Sequence, residues 1–395
     1  MLFKEGELKF MGKFYLSLFI LGLFSMIAPY TTIYFRNLGL SFFQIAIIGS
    51  AISAGMFLFE VPTGAFADGV SRKYSTLLSF SLCGILFFIF PYFTNFYALV
   101  LIWFLMGVSF TFQSGAAESW MIDNLIFNKM EHLKNEFFMK AGIIASAGMV
   151  IAPFIGAQIV KYYSIAMLWH ILGVLFLISV IILFSAEESY KPKRTDIKNT
   201  FLDSIKNSKE GMRLFYTNHA LFLIVLAGIF SNFMGMGNEG WQPFLVQLTM
   251  PEHYLGYMYS IMALLPMGLS LTNRYLENKK LKYVFTITLL IRMLIILSLI
   301  LIHPPLYYLA ALVFIIDGNM GIFGSPLLES FMHKHIPTKI RATALSVQNM
   351  INQGAIFIVA LTGGYLLDIF GPQKVIAFSG LFAIFAIMTY WRLEE

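Results

Sequence analysis

Apolar runs of about 20 residues follow one another from Phe10 to Trp391, separated only by short polar gaps. Such a chain belongs in a bilayer, where every backbone N–H and C=O must be satisfied internally, so each run is read as a helix. Two or three soluble domains would be the alternative for 395 residues, but only 12% of them are charged, against about 25% in an ordinary globular domain. The expected fold class is therefore an all-α, multi-pass membrane protein. The first run, 11–35, is too long for a signal segment and lacks a small-residue cleavage site, so it is expected to stay as an anchor.

Polar breaks place twelve spans at 11–35, 42–67, 74–94, 96–122, 137–160, 165–186, 220–248, 254–273, 283–302, 305–332, 342–367 and 373–391. Ser41 with Gln44 makes a capping box at the start of span two, and Pro304 and Pro305 suit the start of span ten. The mixed charges of 187–219 read as a cytoplasmic linker between six-helix bundles at 1–186 and 220–395, and Phe201 to Phe215 has the pattern of a short interfacial helix. All but four of the 27 Lys and Arg residues flank one face: Arg36, Lys161 and Lys374 lie on the other, and Arg292 is inside a span. By the positive-inside rule both termini are cytoplasmic. The net charge of +6 thus sets topology, and gives no reason to expect a nucleic-acid partner.

The two halves share an internal repeat. Glu118-Ser119-Trp120-Met121 in span four returns as Glu329-Ser330-Phe331-Met332 in span ten, and Gly107 and Ser114 answer to Gly318 and Ser325 at the same spacing. A nearly equal spacing relates Gly156-Ala157 to Gly363-Gly364. Such a parallel duplication is how many transporters place a site between halves.

Between spans two and three stands Gly64-Ala65-Phe66-Ala67-Asp68-Gly69-Val70-Ser71-Arg72-Lys73, preceded by Glu60-Val61-Pro62-Thr63. With twelve spans and a central linker, this resembles the signature loop G-x-x-x-D-x-x-x-R-K of the major facilitator superfamily. Span five carries Gly148, Ala152, Pro153, Gly156 and Ala157, similar to the G-x-x-x-G-P-x-x-G-G motif of its proton antiporters, with Gly148, Pro153 and Gly156 matching. Span one, with Gly22 and Pro29, is weakly similar to the first span of its drug exporters. One departure is Trp103, which stands where the family's proton-coupling arginine precedes the glycine at Gly107. The Glu-Ser-Trp segment also looks like a stretch of molybdate-associated anion carriers.

The resemblance implies two pseudo-symmetric bundles that rock around a central site, driven by a proton; the sequence carries no Walker loop, so no ATP drive is implied. It implies a cytoplasmic gate in which Asp68, with Arg72 and Lys73 beside it, engages the start of span eleven at Arg341; the repeat adds Glu277 opposite Lys134. For the substrate or proton, polar groups at membrane depth are the candidates, because they are costly there unless they face protein or a wet cavity. Span seven puts Asn232, Gly235, Glu239 and Gln242 on one face with Asn238 and Trp241 adjacent, and its glycines and Pro243 allow a bend. Glu60 shares a face of span two with Ser50, Ser53 and Gly64, roughly 12 Å from Asp68 along the axis. Span eleven offers Gln348, Asn349, Asn352 and Gln353, which equally suit interhelical bonding.

Arg292 in span nine and Asp317 in span ten reach similar depths and are expected to pair, with Asp317 keeping a possible substrate or proton role. Glu118 and Glu329 are read as stabilising helix ends, and His170 as a packing residue. The single cysteine, Cys83, excludes an intramolecular disulfide. No His/Cys cluster suggests a metal and no catalytic constellation or cofactor motif is present, so the chain is not read as an enzyme. The expectation is a monomeric carrier of a bacterial cytoplasmic membrane exporting a small, partly apolar compound against protons. Anion uptake through Arg292, and a nontransporting sensor on the same fold, remain the alternatives.

Overall fold

The structure is a computed structural model and describes residues 3, 7–188, 212–276, 279–337 and 341–394. Among these residues all regular structure is helical. Eleven helical segments are long and apolar enough to cross a membrane, and the helix Tyr254–Leu276 stands where span eight was expected. Each of the twelve expected spans is therefore answered by a helix. The capping box closes as its residue types require: Ser41 N–H donates to Gln44 Oε1 at 2.9 Å and Gln44 N–H to Ser41 Oγ at 3.2 Å. Most of Phe201 to Phe215 lies outside the described residues.

Several spans are interrupted, and the interruptions follow the repeat. Span four is Phe96–Gln113 followed by Ala116–Phe127, with Gly115 between them at φ 67°. Span ten is Tyr307–Met320 followed by Ser325–His335, with Gly324 at φ 86°. Only glycine takes this left-handed backbone without a Cβ penalty, so each break is written into one residue. Span ten begins at Tyr307, two residues beyond the Pro304-Pro305 pair that was expected to start it. Span seven runs as an α-helix over His219–Phe233, tightens to a 3-10 stretch at Met234–Gly240, and resumes at Trp241–Gln247. That is where its glycines were expected to let it bend.

The chain forms two compact units. The first comprises Met1–Tyr34, Ile47–Thr200 and Glu252–Ser260; the second comprises Phe35–Ala46, Phe201–Pro251 and Ile261–Glu395. In the first unit, spans one and five meet at Gly22 and Gly148, where a Cβ on Gly148 would lie 2.7 Å from the carbonyl oxygen of Phe19. Small residues let two backbones approach closely in an apolar medium, where packing replaces the hydrophobic effect. Pro153 has no N–H for the carbonyl of Met149, and Ser25 Oγ from span one donates to that carbonyl at 3.1 Å. Trp103 joins an aromatic cluster with Phe90 and Trp169, so the family's arginine position is here part of the core. Near the N-terminus, buried Glu7 accepts from Tyr15 at 2.7 Å and from Lys140 at 2.5 Å.

In the second unit, Phe42 packs with Leu367 and Val375. Ser379 Oγ donates to the carbonyl of Met234 at 2.9 Å, tying span twelve to the 3-10 stretch of span seven. Phe285 stacks on Tyr390 with ring centroids 4.8 Å apart.

Candidate functional site

Spans seven, nine, ten and eleven bring four of the expected polar groups of the second unit together in two pairs, Arg292 with Asp317 and Asn232 with Asn352. Arg292 Nε donates to Asp317 Oδ1 at 2.7 Å, and both side chains retain 15% exposure. The expected pair is formed, half-buried rather than fully buried. The guanidinium uses only Nε for this bond and presents its Nη edge toward Gly321. One turn before Asp317, Phe314 meets Trp241 edge to face at 4.8 Å, and Trp241 is buried. Gln242 is buried beside it, whereas Glu239 is half-buried and Asn238 exposed on the 3-10 stretch. A tight 3-10 turn eclipses side chains and breaks the helical face, so the stripe drawn for a regular helix is split there. Asn232 Nδ2 donates to Asn352 Oδ1 at 3.2 Å, linking span seven to span eleven. Asn349, the candidate on span eleven, is exposed one turn from that bond.

In the first unit Glu60 is exposed and its Oε1 accepts from Ser114 Oγ at 2.9 Å, at the break of span four. The basic pair of the signature loop is engaged within its own unit. Arg72 reaches Asp68 at 3.0 Å and Asp123 at 2.6 Å. Lys73 donates from Nζ to the carbonyl of Ala186 at 2.6 Å and from its backbone to Glu188, which also accepts from Ser71 Oγ. The loop therefore staples the ends of spans two, three, four and six. Arg341 Nη2 donates to the carbonyl of His333 at 3.3 Å in the second unit. Lys134 is exposed at the start of span five, and its expected partner Glu277 lies outside the described residues. Gly148 and Gly156 both pack on span one, Gly156 against Met26, while Pro153 occupies the interior of its helix. His170 Nδ1 donates to the carbonyl oxygen of Phe88, 2.9 Å away, in keeping with a packing role.

Two features went unread in the sequence. Asp368, at the end of span eleven, accepts from the backbone N–H of Phe42 at 2.8 Å through Oδ1 and of Phe43 at 2.9 Å through Oδ2. It caps the first turn of span two, which leaves orphan donors and a positive dipole end; an acid just past a span was the available signal. Tyr30 binds the start of span eight, accepting from Gly256 N–H at 3.1 Å and donating to the carbonyl of His253 at 3.3 Å. Nearby, Gln158 donates to Tyr257 Oη at 2.7 Å. His253, in the loop before that span, is held below the ordinary imidazole value by burial and by the Lys161 ammonium. Among the described residues no cluster of His, Cys, Asp and Glu is arranged to hold a metal ion.

Helical spans, a glycine-broken duplication and the loop clamp at Asp68 and Arg72 converge on one family, and residues 14–360 match the model of the Major Facilitator Superfamily. The chain belongs to that superfamily. Among its relatives is an uncharacterized MFS-type transporter of Bacillus subtilis (strain 168), YxaM, 24% identical with 94% of this chain and 91% of the relative covered. Another is the uncharacterized MFS-type transporter MJ1560 of Methanocaldococcus jannaschii, 25% identical over 93% of this chain and 94% of its own length. Among solved structures, the nucleoside transporter NupG aligns with a TM-score of 0.76 at 17% identity over 96% of this chain and 97% of that one. A D-xylose-proton symporter aligns at 0.69 and 13%, with 98% of each chain covered. This superfamily member therefore has the twelve-helix fold of a multi-pass transporter, and the expected resemblance is borne out.

Proposed function

We propose that the protein is a secondary exporter that moves a small, partly apolar compound against proton entry, as a monomer in a bacterial cytoplasmic membrane. The observation that carries this reading is the placement of Glu239 on the 3-10 stretch of span seven, a half-buried carboxylate within an apolar span, next to Asn238 and two residues before the buried Trp241. A stretch of 3-10 helix in the middle of a span often marks a functional hinge. An acid there can exchange a proton, and the neighbouring aromatic pair Trp241 and Phe314 offers an apolar contact. Asp317, held by Arg292, is the second proton or substrate carboxylate of this reading. Asn232 and Asn349 serve as its polar wall, Glu60 as the corresponding acid of the first unit, and Asp68 with Arg341 as the cytoplasmic gate.

A second reading is favoured by the Nη groups of Arg292, which are not the donors to Asp317 and are of the type that binds an oxyanion. The experiment is counterflow in proteoliposomes against a compound panel, with and without an imposed pH gradient, using wild type and Glu239→Gln. Solute movement that follows the gradient in wild type and loses it in Glu239→Gln is the expected outcome. Gradient-independent oxyanion uptake supports the second reading, and movement of no solute removes both in favour of a sensor.

A further inference from the structure

A cavity of about 290 Å³ lies within the first unit, walled by spans one, three, four, five and six. Its floor is aromatic and soft: Phe14, Phe80, Phe137 and Met121 are buried there. Its mouth holds the exposed Glu118 and Phe138. The hydroxyls on its wall are already donating to their own helices, Ser17 to the carbonyl of Lys13 and Thr76 to that of Arg72, each at 2.9 Å. No basic side chain lines the cavity. Lys140, on the same helix as Phe137, is turned to Glu7 and Glu136.

We propose that this cavity is a binding site for a small monovalent organic cation with an apolar body, and that Glu118 is its counter-ion. An anion entering here would meet a carboxylate with no compensating charge. A neutral apolar molecule would fill the floor and leave the carboxylate at the mouth unused. A quaternary or protonated amine satisfies both demands, because the carboxylate neutralises it and the ring faces attract it through their quadrupoles. The alternative role of Glu118 is to complement the positive end of the helix Ala116–Phe127, whose first turn it occupies. That role is structural and requires no ligand. The proposal goes beyond transport and is tested by binding alone.

The full-length protein in detergent would be titrated with benzyltrimethylammonium and, separately, with the anion 3-phenylpropionate, which has a similar apolar body. Binding is read by saturation-transfer NMR and calorimetry. Wild type is expected to bind the cation and not the anion, and Glu118→Gln to weaken cation binding about tenfold or more while Tm changes little. Gly142→Leu provides an arm that does not depend on Glu118. Gly142 lines the cavity, and a Cβ there would meet nothing within 4 Å, so the new side chain fills the cavity and should abolish binding in a folded protein. Equal binding of both probes, no cation binding by wild type, or undiminished cation binding in Gly142→Leu would each overturn the proposal. A lowered Tm with unchanged binding in Glu118→Gln assigns that residue to its helix end instead.

Discussion

The ion pair of Arg292 with Asp317 shows what one residue can decide at membrane depth. At 2.7 Å and 15% exposure on each side, removing one partner leaves the other charge largely unsolvated. Asp317→Asn should therefore destabilise the second unit by about 2 kcal/mol, below the full cost of breaking a wholly buried pair because some exposure remains. Replacing both, Arg292→Met with Asp317→Leu, should recover most of that loss. Thermal unfolding of the three variants in detergent checks this, and losses that simply add in the double variant would show that the pair is not coupled. His253 gives a pH-dependent counterpart outside the spans. Its pKa is depressed below 6.5 in the folded protein, so protonation favours the unfolded chain. Its stabilising contribution is complete above the ordinary imidazole value and is lost as pH falls through the depressed one. Wild-type Tm should accordingly drop more on acidification below 6.5 than that of His253→Gln. Parallel curves for the two proteins would dismiss His253 as a source of the effect.

Span five shows how a motif becomes an element. Gly148 brings spans one and five into contact, Pro153 leaves a carbonyl unserved, and Ser25 of span one serves it. Gly148→Val would drive a side chain against the Phe19 carbonyl and should cost about 3 kcal/mol or prevent folding. By contrast Gly142→Ala, where a Cβ meets open space, should stabilise the helix by up to about 1 kcal/mol. A Gly148→Val protein as stable as Gly142→Ala would show that close approach of the two helices is not needed. Such local features were largely legible: the apolar runs, the Ser41/Gln44 box and the glycines of span seven each act within a few residues. The breaks at Gly115 and Gly324 were not, because a glycine in an apolar run reads equally as a packing residue. Asp368 was missed for a different reason, since its partners Phe42 and Phe43 are more than 300 residues away in sequence. The basic pair Arg72 and Lys73 was seen, yet its partners Asp123 and Ala186 could be named only once spans three, four and six were placed side by side.

For the molecule as a whole, the division into two units has an unexpected boundary: it cuts through helices. The first turn of the helix Phe42–Gly69 belongs to the second unit and the rest to the first, while the first turns of Tyr254–Leu276 belong to the first unit and the rest to the second. The chemistry at these turns explains the assignment, with Asp368 holding Phe42 and Phe43, and Tyr30 holding Gly256. Asp368 makes two charge-assisted bonds to backbone N–H groups, together contributing on the order of 1 to 3 kcal/mol. Because the only cysteine, Cys83, is buried, a single thiol introduced by Ala46→Cys can report the first turn of span two, where Ala46 is 3% exposed. Asp368→Ala in that background should raise the rate of maleimide labelling about tenfold, the factor equivalent to roughly 1.4 kcal/mol. Asp368→Asn, which keeps an acceptor but not the charge, should fall between. Gln158→Leu, removing a bond at the other shared helix, should leave labelling at this position nearly unchanged unless the two turns open together. A labelling rate indifferent to Asp368 would mean that the cap does not control this turn, and that the boundary through span two is set by the packing of Phe42 on Leu367 and Val375 alone.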